Sequence, residues 1–427
     1  MAGKHGAVVL PKDGAPGVLI AHDLSPAETA GLTKERVLAI VTEVGTRTSH
    51  TAILARALEI PAVVGVPNLL TRVGTGDLIV VDGVHGQVGI TPSEALIADT
   101  AARAGRFSDV ARHRREARDR PIRTRCGQSV ELRANIELPS EAEGALEQGA
   151  RGIGLYRTEF LYLDRSEPPS EDEQFEAYKA IAEAIGKEHP LVIRTLDVGG
   201  DKPLAYLPFP KEDNPFLGER GVRVALDRPE ILRGQLRAIL RASAFGRVSV
   251  MFPMISSLEE IRDAKAILAE ESKRLGIAPI PAGIMVEVPV TAVMAAQFAN
   301  EADFFSIGTN DLTQYTLAMD RGHPKLAPRI DGLNPGVLHL INHTVRGGHA
   351  ANRPVAVCGG IASDVHGVPI LIGLDVDELS ISLPAIPAIK GQIRKLRFDE
   401  CRELAQKALA AESAADVRAL IGEPNES

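Results

Sequence analysis

From Pro121 onward, apolar runs and amphipathic stretches alternate along the chain. Short, near-continuous apolar runs end at Asn135, Arg157, Thr195, Met254, Glu287, Asp311, Gly359 and Ser382. Between most of them lie longer segments with helical spacing, such as Glu171–Ile185, Glu230–Ala244 and Leu258–Leu275. A strand that lacks polar alternation is buried on both faces, as parallel strands covered by helices are. About eight strand–helix units in roughly 270 residues fit a (β/α)8 barrel, which takes about 250. That spacing favours a closed barrel over a doubly wound sheet.

Upstream the pattern is finer grained. Ala7–Leu10, Gly17–Ala21, Val37–Val41, Ala62–Val64 and Leu78–Asp82 read as short strands punctuated by glycine. Among them one helix is predicted to start at Thr48-Ser49-His50, with Ile53, Leu54 and Leu58 as its apolar face. Thr48 and Ser49 are good N-cap residues, so His50 falls in the first turn, where free N–H groups and the helix dipole favour an anion. Residues 93–120 are alanine-rich and highly charged and read as a solvated helical linker. The expected organisation is therefore α/β throughout: a small domain (1–92) displaying one histidine, a linker (93–120), and a barrel (121–427).

Composition narrows the function. Of 427 residues, 44% are hydrophobic and 24% charged, and the net charge is −8, which excludes the basic footprint of a nucleic-acid binder. Cys126, Cys358 and Cys401 form neither a disulfide framework nor a zinc pattern, so a cytoplasmic location is expected. No apolar run is long enough to span a membrane, and no signal-peptide core is visible. Neither a dinucleotide fingerprint nor a nucleotide-binding P-loop is present.

Barrel active sites lie at the C-terminal ends of the strands. There the sequence collects Arg157, Arg194, Glu287, Asn310-Asp311 and Cys358. Arginine offers a planar fork of donors to phosphate and carboxylate. Two carboxylates fit a divalent cation, and Mg²⁺ is commonly held by one or two of them with substrate oxygens. The barrel alone reads as a Mg²⁺-dependent site for a small phosphorylated carboxylic acid, with an internal salt-bridge network as its rival. His50 adds a nucleophile able to form a covalent intermediate.

Thr48-Ser49-His50, Leu155-Tyr-Arg157-Thr-Glu-Phe-Leu, Asn214-Pro-Phe-Leu-Gly-Glu-Arg220, Ile307-Gly-Thr-Asn-Asp-Leu-Thr-Gln-Tyr-Thr-Leu and the Cys358-Gly turn resemble enzyme I of the bacterial sugar phosphotransferase system. The likeness runs from about residue 15 to 400, with the motifs in the family's order. It implies a swivelling phosphohistidine domain joined to a TIM barrel, and phosphoenolpyruvate-dependent phosphorylation of His50 with release of pyruvate. The phosphoryl group would then pass to the phosphocarrier HPr. It further implies that Arg157, Arg194 and Arg321 bind phosphoenolpyruvate, and that Asn310 and its neighbouring main chain hold the carboxylate. Glu287 and Asp311 would ligate Mg²⁺, and Cys358 would protonate the enolate carbon. Arg220 and Lys202 would be additional phosphate contacts, and the barrel would form a homodimer.

Two departures from the family stand out. Cys358-Gly359-Gly360 replaces the usual Cys-Gly-Glu, a form similar to the enzyme I modules of fused multiphosphoryl transfer proteins. The family's helical HPr-docking domain is absent upstream, so the chain reads as a fragment or a reduced module. The nitrogen-branch paralogue, and a piece of a pyruvate phosphate dikinase or phosphoenolpyruvate synthase, are the enzymatic alternatives. A phosphoenolpyruvate-sensing phosphoprotein is the non-enzymatic one. It would have no use for a proton donor at Cys358.

Overall fold

A computed structural model describes residues 16–24, 32–33, 36–45, 51–52, 55, 60–83, 86–101, 122–163, 165–200, 204 and 206–421. It divides into two compact units, 1–113 and 114–427. In the smaller unit, β1 (Gly17–Ala21), β2 (Val37–Thr42) and β3 (Ala62–Val63) form a parallel sheet in that order. Val37 and Ile40 on β2 pack with Leu24, Ala55 and Ile60, while Val41 packs with Val63 and Leu69. β4 (Ile79–Asp82) and β5 (Gln87–Ile90) make an antiparallel pair. β5 escaped the sequence pattern because Gln-Val-Gly-Ile carries too few apolar positions to establish a period. His50, Ala7–Leu10 and residues 102–121 lie outside the described residues; Thr51 and Ala52 are helical, as are 94–101.

The larger unit is a closed barrel of eight parallel strands in sequential order. They are β6 (Glu131–Ile136), β7 (Ile153–Arg157), β8 (Pro190–Arg194), β9 (Arg247–Phe252), β10 (Ala282–Val286), β11 (Phe305–Ile307), β12 (Val355–Val357) and β13 (Glu378–Ser382). Each ends within four residues of the position read from the apolar runs. Two predicted helices, Glu171–Ile185 and Leu258–Leu275, have the observed bounds, and the third runs Pro229–Ala242. Capping explains the clean starts. Ser170 with Glu173 and Ser257 with Glu260 each form reciprocal capping boxes, satisfying donors that a helix start leaves unpaired. Gly276 closes the second helix at φ +66, a conformation open to glycine at little cost.

Most of the apolar core lies between the strands and their helices. A separate inner group, Leu155, Val192, Met251, Met285 and Cys358, fills the barrel itself. The barrel is thus packed through its centre, with Cys358, just past the end of β12, where that layer meets the rim. Among the described residues, no helix is long and apolar enough to cross a membrane.

Candidate active site

The C-terminal rim of the barrel carries a dense arginine–carboxylate network. β8 ends in Arg194, whose guanidinium pairs with Glu159, lies 3.2 Å from Asp197 Oδ2, and reaches Met285 Sδ at 3.4 Å. Arg220 is 1% exposed and sits between two aspartates. Its Nε and Nη2 each donate to Asp197 at 2.9 Å, and its Nη1 donates to Asp311 Oδ1 at 2.8 Å. Arg321 Nη1 donates to Asp311 Oδ2 at 3.2 Å from the half-buried loop that follows. On the neighbouring arc Arg157 Nη1 pairs with Glu137 Oε1 at 2.7 Å.

The local folds account for these positions. Gly308 joins β11 to the helix Thr309–Leu317, placing Asn310 and Asp311 in that helix's first turn. A Cβ on Gly308 would lie 3.1 Å from Glu287 Oε2 and from Met285. On Gly359 it would lie 2.0 Å from Thr309 Oγ1. Glycine at both positions therefore lets the β10, β11 and β12 loops close on each other. Asn310 Oδ1 accepts from Gly360 N–H at 2.9 Å, tying the Cys358 turn to the helix start.

Glu287, just past β10, is 1% exposed and accepts Met254 N–H at 2.7 Å. Burial, and then the charges of Asp197 and Asp311, push its carboxyl up to about 8 against the pull of Arg194 and Arg220. Asp311 behaves oppositely. Burial disfavours its charge, but Arg220 and Arg321 outweigh burial and hold it below the usual range. The arginines are paired with Asp197, Asp311 and Glu159, so Glu287 is the acid of this group that holds its proton most tightly. Cys358 lies in the apolar inner layer with Sγ 3.6 Å from Ile307 O, and burial pushes its thiol up to about 11. It is a protonated thiol, suited to giving a proton rather than attacking.

Among the sequence candidates, Arg194, Arg220, Glu287, Asp311 and Arg321 are brought into one network. Arg157, Asn310 and Cys358 stand on the same rim. His50 and Lys202 lie outside the described residues. Three participants escaped the sequence reading: Asp197, fully buried and shared by Arg194 and Arg220; Glu159; and Glu137. Asp197 stands three residues past a strand-ending arginine, and that offset was the available signal.

No preformed group of three or more potential protein ligands for a metal occurs among the described residues. A buried Glu287 beside Asp311, an acid left to a proton rather than to an arginine, nevertheless fits a divalent cation that would displace that proton and take its remaining ligands from substrate and water.

Residues 111–398 match the PEP-binding domain of the PEP-utilising enzymes, and residues 14–86 match their mobile domain. The phosphoenolpyruvate-protein phosphotransferases of Staphylococcus carnosus and Haemophilus influenzae are each 47% identical over 412 residues. The alignments span 95% of this chain and 72% of each relative. A multiphosphoryl transfer protein of Rhodobacter capsulatus is 50% identical over 410 residues, of which this chain covers 49%.

Proposed function

This chain belongs to the phosphoenolpyruvate-protein phosphotransferases among the PEP-utilising enzymes, and on that premise we propose how its residues share the reaction. Phosphoenolpyruvate brings a phosphate and a carboxylate to the rim. Arg157, Arg194 and Arg321 take the phosphate, with Arg220 and Lys202 as further cationic contacts. Asn310 and the N–H groups opening the helix Thr309–Leu317 take the carboxylate. Bound Mg²⁺, held by Glu287 and Asp311, supplies positive charge for the phosphate and the developing enolate oxygen.

His50 attacks phosphorus through a neutral imidazole nitrogen, and the bond from phosphorus to the enol oxygen breaks. The enolate of pyruvate then takes a proton on carbon from Cys358 Sγ–H, and solvent restores the thiol. Pyruvate leaves, and the phosphoryl group on His50 is destined for the phosphocarrier HPr. Residues 1–92 act as the carrying domain, 93–120 as the linker and 121–427 as the substrate domain. The barrel associates as a homodimer in the cytoplasm.

The observation that carries this reading is the convergence of Arg194, Arg220 and Arg321 on Asp197 and Asp311 at the barrel mouth, with Glu287 buried beside them and Cys358 past the next-but-one strand. Incubation with phosphorus-labelled phosphoenolpyruvate and Mg²⁺ tests it. One acid-labile, base-stable label per chain is expected on His50, with stoichiometric pyruvate. Wild-type labelling in His50→Ala overturns the assignment.

A further inference from the structure

β12 is short, and its register with β13 pairs Ala356 with Glu378 and Val357 with Leu379 before it stops. The Cys358 peptide lies one step beyond that ladder. A backbone carbonyl in a packed interior needs a donor, and here a side chain supplies one from two strands away. Asn135 on β6 donates its Nδ2–H to Cys358 O at 3.0 Å. The Asn135 amide is itself fixed, because Ser380 Oγ on the intervening β13 donates to Asn135 Oδ1 at 2.7 Å and lies 3.3 Å from Ala134 O.

The far side of the same turn is held independently. Cys358 N–H donates to Ile307 O at 3.0 Å, and Gly360 N–H donates to Asn310 Oδ1 at 2.9 Å. Cys358 is thus held on both sides, its own N–H by Ile307 O of β11 and its carbonyl, in the Cys358–Gly359 peptide, by Asn135 of β6. A Cβ at Gly359 would lie 2.5 Å from Thr309 N, so the turn has no slack on that side. The Ser380–Asn135 relay sets the tilt of this peptide, and that tilt sets where the thiol points.

We propose that Asn135 is a positioning residue for proton delivery by Cys358, with Ser380 orienting its amide. The proposal rests on the reading of Cys358 as proton donor. In this role Asn135 acts through the Cys358 carbonyl and not on the substrate itself. It fixes the direction from which the proton arrives, and so the face of the enolate that receives it. Misplacing a reacting group by about 1 Å can cost roughly a hundredfold in rate.

The test separates phosphoryl transfer from ketone formation in the first turnover of the full chain. Rapid quench follows label on His50, and pyruvate is trapped as it forms. Phosphoenolpyruvate carrying deuterium at one C3 position, turned over in tritiated water, gives a chiral methyl group whose configuration reports the face that is protonated. Asn135→Asp keeps the acceptor for Ser380 but lacks the N–H, and Asn135→Ala lacks both. In each, labelling of His50 and KM are expected to stay within about twofold, while ketone formation slows roughly 10–100-fold and loses facial preference. Ser380→Ala, which keeps the donor but frees it to rotate, is expected to fall between these variants and wild type.

Cys358→Ala is the reference. If it is impaired and both Asn135 variants ketonise with wild-type rate and selectivity, the positioning role is overturned. If Cys358→Ala itself behaves as wild type, the proton-donor reading fails first. If the Asn135 variants lose labelling, ketonisation and melting temperature together, Asn135 is a structural residue and the proposal falls.

Discussion

The barrel carries two arginine–carboxylate networks, one on its outer helices and one at its mouth. On the outside Arg233, Arg237 and Arg241 of Pro229–Ala242 meet Glu171, Asp172, Glu270 and Glu271 at 2.6–3.3 Å. At the mouth Arg194, Arg220 and Arg321 meet Glu159, Asp197 and Asp311, with Glu287 alongside. Outside, Arg274 Nη1 also lies 3.7 Å from Glu271 Oε2, so four cations face four acids, whereas the mouth has three for four. Asp172 and Glu270 are moreover exposed, where water screens their charge. Burial opposes ionisation of Glu171 and Glu271, but their arginines overcome it and lower both carboxyls. At the mouth Glu287 is buried, and burial, then the charges of Asp197 and Asp311, raise its carboxyl to about 8. An arginine–carboxylate network alone therefore marks no site; a buried acid left over from the pairing does.

The sharpest way to break this comparison is to remove the surplus itself. Glu287→Gln keeps the shape and deletes the charge. Phosphorylation of His50 is expected to fall by roughly a thousandfold or more, about 4 kcal/mol of transition-state stabilisation. The fold should hold or gain stability, since a buried acid without a matching cation is lost. Rapid-quench labelling and thermal melts decide, and wild-type labelling would leave an ordinary salt-bridge network standing.

Asp197→Asn tests the committed part of the mouth. It leaves Arg220 and Arg194 short of a buried partner, a change that costs about 3–5 kcal/mol when one side of such a pair is removed. Urea unfolding should show that loss, together with a raised KM for phosphoenolpyruvate as both guanidinium forks drift. Stability within about 1 kcal/mol of wild type would mean that Asp197 is not the hinge of the two arginines.

Glu287 also predicts a pH signature. Its folded carboxyl titrates near 8 and an unfolded glutamate near 4.5. A raised folded pKa contributes stability fully below about pH 4.5, and that contribution is lost as pH rises through about 8. Relative to Glu287→Gln, the metal-free protein should weaken by a few kcal/mol across that window and level off above it. Saturating Mg²⁺ should flatten the slope, and chelation should restore it. Parallel pH profiles for the two proteins would contradict the raised carboxyl.

These contrasts show what a chain discloses before it folds. The eight strand ends were legible because strands buried on both faces are continuous apolar runs, and a polar residue closing one stands out. Arg157, Arg194 and Glu287 were found that way. Asp197 and Glu137 lie in loops and Glu159 opens a single 3-10 turn, where no period singles out one acid among many. The charge balance was invisible for a further reason. Arg220 meets Asp311 across 91 residues, and only the closing of the barrel decides which acids find arginines and which is left over.

The smallest expected effect belongs to the outer network. Arg237 donates to Glu171 at 2.6 Å and to Glu271 at 3.3 Å, but Arg241 also holds Glu171 and Arg233 also holds Glu271. Arg237→Ala therefore leaves each acid a partner, as Asp197→Asn leaves Arg194 with Glu159 and Arg220 with Asp311, but the charges at the mouth are more deeply buried. The half-exposed setting of Arg237 limits the loss to about 1 kcal/mol in urea unfolding, with labelling of His50 unchanged. High salt should shrink that difference further by screening exposed charges, yet leave the Asp197→Asn deficit nearly intact, because ions do not reach the buried mouth. A loss of several kcal/mol in Arg237→Ala, or equal salt sensitivity in the two variants, would erase the distinction between the solvated network and the buried one.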